Sequence, residues 1–509
     1  MDRRLIAHGY LFAALLSAAA GCSETDSAET LARVAEAMPI PSVDVPPADG
    51  PKLVAIGPTP VLEKPATQAR AVGELLVGSA VARSAEPYSS KGCDGGWYVV
   101  RPRGFVCAGT NVTLTDVDAP NQDDLLARAL PYRYGRARTE GVPVYARMPT
   151  PAEQLAAEPD LLRHLKRSES TDSERLGPAA NDVPLDGRGI ATGPAVLVRD
   201  GEGVVGGRRL AGAFFAFAPE ERSRGLVVLQ GSDIQAATLR KESGVAIRAS
   251  FMGDGGPRPR RFGILIDGGL VPTDRLRASV GTTWHGLDID TLGLPVSFVH
   301  KFGTTTWRLA HGAAEPIEDD ELDRRTAVPM SGKFRTVGGV RFEETREGAW
   351  LRAQDLVAVV RRTALPEFAT GSQKWLDVSV ANQTITAYEG RKPVYVTLVS
   401  TGRSTIGASE DTSTAQGIFH VRRKAITRRD APKNSTLTHA PWAMELESGA
   451  FIVGSYWSDS FGEAQGARDI VLAPIDAKKL FEWADPMLPP GFSEIAAVDS
   501  EGTIVHVRR

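Results

Sequence analysis

Residues 453–474 read VGSYWSDSFGEAQGARDIVLAP, from Val453-Gly454-Ser455-Tyr456-Trp457 to Asp469-Ile470-Val471-Leu472-Ala473-Pro474. Between its apolar ends lie Ser, Gly, Asp and Glu, the composition of an ordered loop. Pro474 then opens a helix with Ala477, Leu480, Phe481 and Ala484 on one face. Residues 440–480 hold no cysteine and no histidine, and Arg468 stands beside Asp469.

Working outward, Trp375–Val380 and Thr384–Tyr388 read as strands around an Asn382-Gln383 turn, and Val394–Ser400 alternates as a third. Ser400-Thr401-Gly402 follows, then Thr414-Ala415-Gln416-Gly417-Ile418-Phe419 and Pro441-Trp442-Ala443-Met444. Gly502–Val507 fits a closing strand. These ordered pieces and the 453–474 block resemble the L,D-transpeptidases, the YkuD-like enzymes that cross-link peptidoglycan. In that family the block reads HGTYWHDxFGxPRSHGCxNLxP, and it aligns here without a gap. Phe461-Gly462, Leu472 and Pro474 stay in place.

The resemblance implies a thiolate nucleophile, a histidine to move protons and backbone N–H groups to hold an oxyanion. The slots are filled otherwise. The first family histidine falls on Val453, the histidine of SHGC on Ala467, its glycine on Arg468 and its cysteine on Asp469. Ser458 takes the second histidine of the YWH variant. Asp469 as a carboxylate nucleophile is the alternative for a retained cross-linking reaction, and pairing with Arg468 is its structural reading. Ser455, Ser458 and Ser460 have no base within the motif, and His439 reads as a surface or edge-strand residue. Tyr456, Trp457, Ser458 and Gly466 are expected to border the peptide cleft.

The chain has 509 residues, suggesting roughly three to four domains. A net charge of -3 argues against a nucleic-acid partner. The 8 histidines show no metal-ligand spacing, so neither metal nor cofactor is expected. Arg3-Arg4, the apolar run Leu5–Ala20 and Ala18-Ala19-Ala20-Gly21-Cys22 resemble a bacterial lipoprotein signal. That resemblance implies lipidation at Cys22 and a membrane partner on the periplasmic side of the envelope, with Ser23 favouring the outer membrane. The remaining two cysteines, Cys93 and Cys107, can then pair in an oxidising compartment.

The expected fold class is mainly β and multidomain, with few helices. Residues 1–21 are the signal and 22–60 a disordered tether rich in Ala, Pro, Ser and acidic residues. Residues 61–120 contain Asp94-Gly95-Gly96, Trp97–Val100 and Phe105-Val106-Cys107, which resemble an SH3-like barrel. Residues 121–187 read as a helical connector, with a capping box at Thr150–Glu153 and extended stretches at 132–135 and 142–145. Residues 188–365 are strand-rich and repeat the turn–aromatic–strand grammar at 340–357, as one or two further SH3-like modules would. Residues 370–509 are the L,D-transpeptidase-like domain. The resemblance implies a cell-wall lipoprotein that binds peptidoglycan stem peptide or a cell-wall enzyme with its reaction lost. An active transpeptidase and a non-catalytic scaffold are the alternatives.

Overall fold

A computed structural model describes most of residues 50–509. Outside the description lie 1–49, 56, 110, 115–125, 146–148, 168–196, most of 200–234, 254–259, 267–268, 310–314, 404–411, 429–436, 466–467 and 499–500. The expected signal, Cys22 and most of the expected tether therefore fall outside it.

The architecture is mainly β. The C-terminal sheet starts from the hairpin Lys374–Ser379 and Thr384–Glu389, in which every residue from Trp375 to Tyr388 on the two strands is buried. Trp375 lies directly opposite Tyr388, and the rings stack at 4.3 Å. Cross-strand aromatic pairs of this kind add to burial. Lys392–Leu398 continues the sheet on one side, and Ile504–Arg508 pairs parallel to Lys374–Ser379 on the other.

Gly417–Thr427 is the strand that turns this sheet toward the 453–474 block. Its first part pairs with Ile504–Arg508. Its second part pairs with Pro441–Leu446 and Phe492–Ala496, with a register shift between Val421 and Arg423. A bulge bends and twists its strand, so one strand serves two neighbourhoods. Phe451–Gly454 and Ile470–Leu472 extend the branch beyond Pro441–Leu446. The helix Pro474–Trp483 covers it, with Pro474 at its start and Ala477, Leu480 and Phe481 buried. Trp442 meets Phe481 at 5.4 Å between ring centres.

The same sheet carries strands from far upstream. Ala71–Leu75 pairs with Phe492–Ala496, Thr59–Leu62 with Ala71–Leu75, and Phe105–Cys107 with Thr59–Leu62. Phe492 is buried in the core of this N-terminal unit with Leu53, Val61, Val72, Leu75, Tyr98 and Val106. Cys93 and Cys107 are joined by a disulfide. The expected tether ends too late in the sequence. Lys52–Ala55 and Thr59–Leu62 are strands, because Leu53 and Ala55 find a buried place against Ala80–Ala82 and Val112–Thr113.

Among the described residues, the middle of the chain forms a small three-stranded sheet of Leu197–Arg199, Glu202–Val205 and Arg208–Leu210 and two larger sheets. One has eight strands and takes Arg133–Ala137 and Val142–Tyr145 from the expected connector, together with Leu226–Val228, Gln235–Leu239, Gly244–Gly253, Arg260–Leu265, Leu270–Pro272 and Leu276–Ala278. An isolated two-stranded hairpin is marginal in water, which explains why residues 133–145 are sheet as well as connector. The helices Pro151–Ala157 and Leu161–Arg167 follow, the first with the expected capping box between Thr150 and Glu153. The other sheet has seven strands between Val296 and Val359. Leu287–Asp288, between the two, pairs with Lys392–Leu398 at the far edge of the C-terminal sheet.

Candidate functional site

The 453–474 block is held by the motifs that flank it. Phe451–Gly454 and Ile470–Leu472 run parallel, with Val453 opposite Val471. Ser400 and Val471 exchange backbone hydrogen bonds, both 2.8 Å, and the Ser400 hydroxyl accepts the Gln465 N–H at 3.2 Å. The Gln383 side chain accepts the Thr401 N–H at 2.8 Å and donates to the Thr401 hydroxyl at 2.7 Å. Thr414 accepts the Gly402 N–H at 2.8 Å. A Cβ at Gly402 would overlap the Thr412 carbonyl and press on the Arg468 amide. The Asn-Gln, STG and TAQG pieces therefore brace one loop, and glycine stands at 402 because backbone approaches it on two sides.

Val453 is buried among Ala440, Ala443 and Phe451, with Trp457 and Val471 packed against them. Asp469 is also buried. Its Oδ1 accepts the Phe451 N–H at 3.0 Å, and its Oδ2 accepts from Arg428 at 2.6 Å. Both side chains of this pair are 10% exposed. The Arg428 guanidinium also lies 3.8 Å from the centre of the Phe451 ring. The ion-pair partner expected for Asp469 was Arg468. Arg468 instead is exposed with φ +57, the left-handed region, and donates its N–H to Thr412. Arg428 lies 41 residues before Asp469, so no local pattern announced it.

The Ser455 hydroxyl is buried and accepts the N–H groups of Trp457 (3.3 Å) and Ser458 (2.9 Å). The Ser458 hydroxyl does the same for Ser460. Both serines act as turn braces. Tyr456, expected at a cleft, is fully enclosed. Its ring stacks on Tyr134 at 4.2 Å, its hydroxyl donates to Thr438 at 2.8 Å, and Ser279 donates to its carbonyl at 2.6 Å. A phenol with an apolar ring and a satisfied hydroxyl is good packing material, and here it ties the block to the eight-stranded sheet. Trp457 and Ser458 are half-buried. Gly466 and Ala467 lie outside the described residues. His439, expected at the surface or on an edge strand, is instead buried between strands, with Nδ1 2.8 Å from the Thr438 hydroxyl.

An opening of about 160 Å³ adjoins the Asp469 pair, lined by Arg423, Thr427, Arg428 and Phe451, with Glu74 and Glu494 opposite in charge. Glu74 belongs to the strand Ala71–Leu75, so the N-terminal unit closes one side of this space. Nothing in the sequence placed residue 74 there. Two further buried charges support the domain. Asp476, in the first turn of the helix, accepts from the Gly286 N–H at 2.9 Å, from the Tyr395 hydroxyl at 2.6 Å and from Thr397. Burial pushes its carboxyl above the usual range against those three donors. Lys424 is fully enclosed and donates to the Phe481 and Ala484 carbonyls at the end of the same helix. Among the described residues, no group of three or more His, Cys, Asp or Glu side chains is arranged to hold a metal ion.

A family model, the L,D-transpeptidase catalytic domain (YkuD), matches residues 373–507. No curated protein matches the chain. Similar solved structures include an L,D-transpeptidase from Xylanimonas cellulosilytica, at 17% identity and a TM-score of 0.21, covering 29% of this chain and 65% of that one. One from Stackebrandtia nassauensis has 22% identity and a TM-score of 0.21, covering 28% and 57%. One from Mycobacterium tuberculosis has 17% identity and a TM-score of 0.21, covering 35% and 77%. The chain thus spans less than two thirds of the first two of these structures.

Proposed function

We propose that this chain is a cell-envelope lipoprotein whose C-terminal L,D-transpeptidase domain binds peptidoglycan stem peptide without transferring it. The observation that carries the reading is the Asp469 pair. Acyl transfer in this family needs a thiolate where Asp469 stands, and the three cysteines of the chain are Cys22, Cys93 and Cys107. Both oxygens of the Asp469 carboxylate are already engaged, one by Phe451 and one by Arg428. A nucleophile must present a lone pair to the carbonyl carbon with a base nearby. The histidine slot holds Val453 in an apolar cluster, which can accept no proton.

Arg468 adopts the left-handed backbone that a glycine takes freely, at a cost of roughly 1–2 kcal/mol for a residue with a Cβ. Fold does not grant function, but an ordered loop beside an opening is what a binding module without the chemistry requires. In this reading residues 61–120 and the strands of 296–359 are SH3-like modules presented with the domain, and the lipid on Cys22 anchors them at the outer membrane.

The test uses the purified protein with a tetrapeptide stem donor, an acceptor stem and a carbapenem, followed by intact-mass and muropeptide analysis, alongside co-sedimentation with purified sacculi. Retention on sacculi with no transfer product and no carbapenem adduct is expected. A cross-linked product that disappears in Asp469→Ala would establish the active alternative instead. Absence of both transfer and retention would leave a scaffold that does not touch the polymer.

A further inference from the structure

On the hairpin that starts the C-terminal domain, away from residues 453–474, lies an open groove of about 450 Å³. One wall is the segment that follows the seven-stranded sheet, residues 358–364, and the other is the hairpin 374–389 with Arg508. Three arginines line it, Arg361, Arg362 and Arg508, against a single acid, Asp377. Asp377 is buried and serves as the hub. Arg508 donates to it through Nε and Nη2 at 3.0 Å each, and Arg362 through Nη1 at 3.0 Å. Arg508 also reaches the Arg509 main-chain oxygen at 3.4 Å.

One carboxylate balances one guanidinium, so the lining side chains carry two positive charges in excess. His506 does not offset them and does not add to them. Its Nδ1 lies 3.2 Å from the Arg362 Nη1, a donor, so this ring nitrogen accepts. Burial and the adjacent Arg362 hold its pKa below the ordinary histidine value. The three guanidinium groups also act together on one point, since all of them draw down the otherwise raised pKa of the Tyr388 phenol. Thr384 and Thr386, alternate residues on the same strand, also line the groove, together with Asn382.

We propose that this groove is a binding site for a phosphate monoester, with Arg361 as the arginine that engages it. A phosphate monoester carries close to two negative charges at neutral pH and offers three acceptor oxygens. That matches the excess charge, whereas a carboxylate would leave a positive charge uncompensated. Arginine is the side chain suited to such an oxyanion, through a planar fork of donors. Arg362 and Arg508 are committed to Asp377 and shape the groove. Arg361 is exposed and lines it. The phosphate could be carried by a soluble ester or stand on a membrane surface, and the experiment separates the two.

Full-length protein is titrated calorimetrically with inorganic phosphate and glycerol 3-phosphate at constant ionic strength, with acetate as the comparison. Saturable phosphate binding is expected, weakened about tenfold or more in Arg361→Ala, as expected for a lost charge-assisted bond. Arg70→Ala, a surface control with its own partner Glu63, should leave it unchanged. Absence of saturable binding, equal loss in Arg70→Ala, or acetate binding as tightly as phosphate overturns the proposal. Flotation with phosphatidic acid vesicles in phosphatidylcholine identifies the source. Vesicle binding that glycerol 3-phosphate displaces and that Arg361→Ala loses assigns a surface phosphate. Soluble binding without flotation assigns a soluble ester, and flotation indifferent to both assigns bulk attraction and sinks the site.

Discussion

Asp469 and Arg428 bind each other at 2.6 Å with both side chains 10% exposed. Removing one member of such a pair leaves the other charge desolvated without its main counter-charge, at a cost of about 3–5 kcal/mol. Arg428→Ala is therefore expected to lower the unfolding free energy by about 3 kcal/mol in urea titrations. The double replacement Arg428→Leu/Asp469→Leu should cost clearly less than the sum of the single ones, since it removes both charges together. Equal, additive losses would mean that the pair is not coupled. This is also where the sequence is most and least legible. That position 469 holds a carboxylate is plain from the sequence. Its partner is not, because the adjacent Arg468 is the natural candidate and only the left-handed turn at 468, with its amide held by Thr412, takes that residue out to solvent. Tyr456 misleads for a related reason. Its place in the motif suggests a cleft, but Gly244 on another sheet lies so close that a Cβ there would overlap the phenol oxygen. Gly244→Ala should accordingly destabilise the protein by about 1–3 kcal/mol through overpacking, read as a lowered urea midpoint.

At the scale of elements, the helix Pro474–Trp483 is stated openly by its apolar spacing and its leading proline, and the structure places it where that spacing asks. What closes its far end is hidden in a strand. Lys424 sits on Gly417–Thr427 and donates to the Phe481 and Ala484 carbonyls, with no carboxylate in hydrogen-bonding contact among the described residues. A cation at a helix C-terminus complements the dipole, yet burial depresses the Lys424 pKa from 10.5 to about 7, with Lys374 also lowering it. The unfolded chain then binds more protons than the folded one between about pH 7 and 10.5. Stability attributable to this group must rise with pH across that window and lie flat below it. Comparing urea midpoints of the native protein and Lys424→Met from pH 6 to 10 should show the native curve climbing relative to the variant. A constant difference between the two would mean that Lys424 keeps its proton throughout. Helix ends of this kind are illegible in sequence, since the spacing that identifies the helix carries no record of a side chain arriving from 50 or more residues away.

For the whole molecule, the composition and the strand grammar say multidomain β, and the sheets are of that kind. Their boundaries are another matter, because strands are recruited by exposed edges rather than by neighbours in sequence. Phe492–Ala496 looks like the last part of a self-contained domain, yet its open side is taken by Ala71–Leu75. Lys392–Leu398 likewise has Leu287–Asp288 along its edge. Arg103 adds a bidentate contact to Glu501 and a hydrogen bond to the Ala496 carbonyl. The segment 370–509, which the motifs mark out as a domain, therefore leaves an unpaired edge and uncovers Phe492 when cut from the rest. Unpaired edges of buried strands template association with other chains. Residues 370–509 produced alone are expected to aggregate or to form oligomers in sedimentation velocity, while residues 50–509 remain a single discrete species at the same concentration. The disulfide offers a graded version of the same test. Its cysteines are 14 residues apart, and a closed loop of that size contributes about 3 kcal/mol. If the N-terminal unit is held by the C-terminal sheet as well as by its own core, Cys93→Ala/Cys107→Ala lowers the unfolding midpoint and yet leaves one cooperative transition. A separate early transition confined to residues 50–114 would show instead that the shared sheet transmits little, and that the N-terminal unit stands by its own crosslink.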